Sequence, residues 1–158
     1  MRVPPAEVVG VLIGLTALVL LYEAIPEELV FRGFLYTALA GRWSPAVAVG
    51  GQAVLFTVWG TVIGASASID RIVLFAVFAA LLGALRAVTG SVWTCMGFHT
   101  AFQVTAQLLT GDHWSQAEVA DPGGTVSALA FVAVPFLVTA TLLWWRKSHV
   151  RRGIGART

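Results

Sequence analysis

The sequence predicts an all-α membrane protein, a polytopic bundle of about five to six transmembrane helices, on three observations. Hydrophobic residues make up 58% of the 158-residue chain and charged residues only 11%, with a mean hydropathy of +0.83; a water-soluble domain carries about twice that charge. The apolar residues fall in continuous runs of helical length and do not alternate with period two, which sets aside a β-barrel. Gly, Pro, Ser or charged residues part the runs, as expected of short loops.

The first run, residues 8–25, follows Arg2 and Glu7. A secretory signal also opens on a basic residue, but Glu7 and the lack of a small-x-small cleavage pattern mark a retained first span. Residues 29–40 form a second, shorter segment headed by Pro26, a residue suited to the first turn of a helix. Runs 46–65, 72–88, 92–109 and 126–145 follow, each close to the ~20 residues that one crossing needs. Together they make one membrane-embedded domain, 1–158, with no room for a soluble second domain.

Arg146, Lys147, Arg151, Arg152 and Arg157 make the tail 146–158 basic, which the positive-inside rule places in the cytoplasm of a multi-pass cell-membrane protein. Six crossings then put the N-terminus inside too, with Arg42 and Arg86 on the same face. The loop 111–124, with Asp112, Glu118 and Asp121, falls outside, and Arg71 is the exception. The count turns on whether the short 29–40 segment crosses fully.

A net charge of +2, with basic residues dispersed outside the tail, gives no footprint for nucleic acid. Membrane lipids are the expected surroundings. Cys95 is the single cysteine, so one chain can hold neither a disulfide nor a cysteine-based metal site.

Ionisable groups at membrane depth are costly and call for a buried partner or a function. The densest group is Glu27, Glu28 and Arg32, behind Pro26. Two carboxylates in a first helical turn are favoured by the positive end of the helix dipole. Glu28 and Arg32 stand at i,i+4 with the acid first, the better order for an ion pair, whereas Glu27 lies ~140° around the helix from Arg32. Glu28 is thus the structural carboxylate and Glu27 the freer one. The plainer reading is a surface helix start with Arg32 snorkelling. Farther on, His99, Gln103 and Gln107 recur every four residues on one helical face, offering an imidazole and an amide to one cavity. Interhelical hydrogen bonding alone also explains such a stripe; its company with a buried glutamate pair favours a site.

These motifs resemble the CPBP family, the CAAX prenyl endopeptidase and bacteriocin-processing (Abi) membrane proteins. The likeness covers roughly residues 22–107. The family's E-E-x-x-x-R stands here as Glu27, Glu28 and Arg32, followed by Gly33, Phe34 and Leu35. Its His followed four residues later by Asn or Asp stands as His99 and Gln103, after Thr89, Gly90, Ser91, Val92 and Trp93. Its middle motif, F-x-x-x-H, has Phe56 in place but Gly60 where the histidine belongs. His113, in the predicted outer loop, and His149, in the tail, are no stand-ins by sequence.

The resemblance implies an intramembrane endopeptidase acting on a membrane-anchored or prenylated peptide or protein. Glu27 would be the general base on water, His99 and Gln103 the donors to developing negative charge, and Glu28 with Arg32 the support. Loss of an assisting histidine costs about 10²-fold to 10⁴-fold where it acts as a positioned acid or base. Two readings therefore stand: a weak protease, or a degenerate homologue serving as a membrane scaffold or bacteriocin immunity-type binding protein. No cofactor is expected. The metalloprotease-like alternative, a divalent metal such as zinc, would draw on Glu27, Glu28 and His99, and no H-E-x-x-H is present.

Overall fold

In the computed structural model, residues 5–66 and 68–110 are described, together with positions 133, 134, 137–139 and 141. The chain divides into two compact units, Met1–Ala120 and Asp121–Thr158. The described positions of the second unit are helical, with the Thr141 hydroxyl donating to the Leu137 carbonyl. The loop 111–124, most of the last apolar run and the basic tail lie outside the described residues.

The first unit is built of helices, with no strand among the described residues. Helix α1, Ala6–Ala40, is 35 residues long, roughly 50 Å at the usual rise per residue. The two segments expected at 8–25 and 29–40 are therefore one continuous helix. What joins them is a pair of π-helical turns, Leu20–Ala24 and Leu29–Leu35, flanking the short α-helical stretch Ile25–Glu28. An interior proline lacks an N–H and its ring presses on the carbonyl four residues back. The widened turn before Pro26 relieves that clash, with the Ile25 N–H reaching five residues back to the Leu20 carbonyl. Pro26 thus interrupts the helix without starting a new one. In the second π turn the Tyr36 N–H bonds the Phe31 carbonyl, which frees the carbonyl of Arg32. Arg86 Nε takes it up at 3.0 Å, so the orphaned acceptor is satisfied from another helix.

Helix α2, Pro45–Val62, starts on Ser44, whose Oγ accepts from the Val47 N–H at 3.4 Å, with Pro45 in the first turn. Helix α3, Ile69–Thr89, is capped the same way by Ser68 and ends on Gly90 at φ +69°, the left-handed conformation glycine adopts without strain. Helix α4, Val92–Thr110, follows at once. Among the described residues three helices, α1, α2 and α3, are long and apolar enough to cross a membrane.

The packing inverts that of a soluble domain. Large apolar side chains such as Ile13, Phe34, Val54, Val62 and Trp93 face outward, while Glu28, Arg32, Gln52 and His99 are buried. Lipid accepts the former, and the latter must find partners inside. One apolar cluster, around Phe31, Phe56, Phe78, Leu82 and Cys95, joins all four helices. A second, Leu15 and Val19 with Val104, fastens the start of α1 to the end of α4. That second contact fixes α1 and α4 as antiparallel neighbours, and it sets what faces what in the middle of the bundle.

Candidate active site

Over the stretch spanned by its two π turns α1 carries Glu23, Glu27, Glu28 and Arg32, and the antiparallel register brings His99 and Gln103 of α4 opposite them. Glu28 and Arg32 are fully buried, and Glu28 Oε1 accepts from Arg32 Nη1 at 3.0 Å. The same oxygen lies 2.9 Å from His99 Nδ1. Glu28 is therefore more than a partner for Arg32: it holds the imidazole of a helix 71 residues away in sequence. An ionised carboxylate only accepts, so beside it Nδ1 carries a proton, and Nε2 is turned the other way.

What Nε2 meets is Glu27, whose Oε2 is 4.0 Å away; the His99 side chain is 2% exposed and that of Glu27 24%. Glu27 is thus the carboxylate that retains access, beside a buried and oriented imidazole. The ring of Phe78 closes on His99 edge to face, with centroids 5.0 Å apart, and fixes the ring from the side.

Arg32 binds three helices. Besides Glu28 it donates from Nη2 to the Ala79 carbonyl of α3 at 3.4 Å, and its guanidinium lies 4.5 Å from the centre of the Phe56 ring of α2. The same Ala79 carbonyl accepts from Gln52 Nε2 at 2.8 Å. Gln52 fits because Gly83 opposite has no side chain; a Cβ there would collide with its amide. Nothing in the motifs singled out Gln52, although one amide in the apolar run 46–65 was the available signal.

Gln103, the other expected donor on α4, is held by a further carboxylate. Its Nε2 donates to Glu23 Oε2 at 3.0 Å, and both residues are half-buried. Glu23 was missed because a helix start at Pro26 puts it on a different helix from Glu27. On the continuous α1 it stands one turn before Glu27.

The middle-motif position is filled by an aromatic ring. Contacts of Leu39 with Gly51 and Phe31 with Phe56 set an antiparallel register of α1 and α2 that carries Gly60 to the level of Glu27. A Cβ on Gly60 would lie 2.5 Å from the Phe75 ring of α3, which stacks on Phe56 at 5.8 Å. Phe75 thus occupies the room an imidazole at position 60 would need.

Zinc asks for at least three protein ligands. Glu28 Oε1 and His99 Nδ1 are engaged with each other and with Arg32, while Glu27, Glu28 Oε2 and His99 Nε2 are not. Among the described residues no group of three or more His, Cys, Asp or Glu is arranged for a metal ion.

No curated protein and no solved structure matches the chain. A family does: residues 9–105, more than half of the sequence and the whole stretch from Glu23 to Gln103, match the model of the type II CAAX prenyl endopeptidase Rce1-like proteins, and the chain belongs to that family of CAAX-type intramembrane proteases.

Proposed function

We propose that the chain is a metal-free intramembrane endopeptidase in which Glu27 activates water against a peptide bond of a prenylated or otherwise membrane-anchored substrate. The observation that carries this reading is the half-buried Glu27 carboxylate facing His99 Nε2 at 4.0 Å, with His99 anchored behind on Glu28. That separation is too long for a direct hydrogen bond and suits one water bonded to both groups. Glu27 takes a proton from the water as its oxygen adds to the scissile carbonyl carbon. The carbonyl oxygen becomes an oxyanion and accepts from the Nε2–H of His99, which takes part as imidazolium. On collapse the C–N bond breaks and the proton held by Glu27 passes to the leaving nitrogen. Arg32 keeps Glu28 in place throughout.

Membrane lipids surround the outer face in this reading, and the substrate reaches Glu27 from the membrane. The protein resides in the cell membrane with the tail 146–158 in the cytoplasm. Phe75 beside Gly60 favours a second reading, a degenerate homologue that binds a peptide as a scaffold or immunity-type protein. The two are separated by cleavage of a prenylated peptide by the purified protein, with and without a chelator. The protease reading expects slow turnover that a chelator leaves intact. Turnover lost on chelation contradicts metal-free chemistry, and no turnover favours the binding protein.

A further inference from the structure

We infer that Glu23 is a positioning residue of the catalytic site, holding Gln103 from behind as Glu28 holds His99, so that each of the two donors on α4 is aimed by a carboxylate of α1. The inference rests on the proposed hydrolytic role of Glu27.

Two parallel contacts carry it. His99 Nδ1 lies 2.9 Å from Glu28 Oε1, and Gln103 Nε2 donates to Glu23 Oε2 at 3.0 Å. His99 and Gln103 stand one turn apart on α4, and Glu23 and Glu28 stand about one widened turn apart on α1, so the contacts are successive rungs of one antiparallel pair. The ladder continues into the apolar contact of Val19 and Leu15 with Val104. Each donor group has a second N–H to give: Nε2 of an imidazolium, and the other hydrogen of the Gln103 amide. A carboxylate that takes one hydrogen fixes the side-chain torsions and so the direction of the other, which free rotation would otherwise scatter. A charged acceptor also polarises the amide and strengthens its remaining donor.

This accounts for the glutamine at position 103. The extra methylene relative to Asn lengthens the arm, and without an anchor it adds a torsion to be frozen at every turnover. Glu23 supplies the anchor one turn below Glu27. Its carboxylate has no other hydrogen-bond partner among the described contacts, and it is half-buried, where charge-assisted bonds count for more than at a water-exposed surface.

The test is steady-state cleavage of a prenylated peptide by the purified full-length protein in detergent, for the wild type, Glu23→Ala, Glu23→Gln, Gln103→Ala and the double variant Glu23→Ala/Gln103→Ala. Glu23→Ala is expected to lower kcat by about 10-fold to 100-fold with little change in KM, since a mis-aimed transition-state donor is lost and ground-state binding is not. Glu23→Gln keeps an acceptor oxygen and should recover most of the loss. The double variant should be no slower than Gln103→Ala alone, because Glu23 acts through Gln103. Independent, multiplying effects of the two substitutions, an effect on KM alone, or an unchanged kcat in Glu23→Ala overturns the inference while leaving Glu27 as the base. Wild-type protein without Glu27-dependent turnover overturns both.

Discussion

Glu28 holds a position where a missing partner is costly. It is fully buried, its Oε1 serves both Arg32 and His99, and its other oxygen has no hydrogen-bond partner. Arg32→Ala leaves that buried carboxylate to His99 alone and also removes the guanidinium from the Ala79 carbonyl and the Phe56 ring. Breaking a buried pair from one side typically costs about 3–5 kcal/mol, so unfolding of the variant in detergent should begin at markedly lower denaturant or temperature. Wild-type stability would show that Arg32 is not the clasp of the bundle. The i,i+4 spacing of Glu28 and Arg32, and of His99 and Gln103, was legible in the sequence because helical periodicity alone puts such residues on one face. The Glu28–His99 contact was not, since spacing within one helix says nothing about which face of another helix it meets.

At the scale of the helix, two local signals proved weaker than the packing around them. Pro26 reads as a helix start, yet a widened turn lets the helix run through it, and Arg86 satisfies the carbonyl that the next widened turn releases. The spacing of residues carries no sign of a donor arriving from 54 positions away, so the continuity of α1, and with it the place of Glu23, was hidden. Gly60 shows the converse. Its departure from F-x-x-x-H was evident in the sequence, while its compensation by Phe75 needed the packing of α2 on α3. Gly60→His alone forces the Phe75 ring aside and should lower thermal stability, as overpacking does by about 1–3 kcal/mol. Paired with Phe75→Ala it has room, and that double variant should regain stability and cleave peptide faster than Phe75→Ala. A double variant as slow as Phe75→Ala would mean that an imidazole at this level takes no part in the chemistry.

For the whole molecule, the apolar exterior and polar interior follow from composition, which is why an all-α membrane bundle was legible at once. The number of crossings was harder, because two apolar runs divided by a proline and charges look the same whether they are two helices or one. One continuous α1 that crosses the membrane puts position 7 and position 42 on opposite faces, where two crossings put both on one. Arg42 and Arg86 still share a face, so the N-terminus alone changes sides relative to six crossings. Single cysteines introduced by Glu7→Cys and Arg42→Cys should react with an impermeant thiol reagent from opposite sides of sealed vesicles; Cys95 is buried and contributes little background. Labelling of both from one side would restore the two-segment topology.

The central claim is that a carboxylate in this bundle activates water, and it meets its most direct test in the rate at which purified protein releases a short C-terminal peptide from a prenylated substrate, compared between wild type and Glu27→Gln. The amide keeps the size of the side chain and removes its basicity. Glu27 is partly exposed and lacks the ion pair that holds Glu28, so the variant should fold and elute as the wild type does. The account predicts slow peptide release by the wild type and none above background by Glu27→Gln. Equal rates in the two proteins, or no release by either, would contradict it.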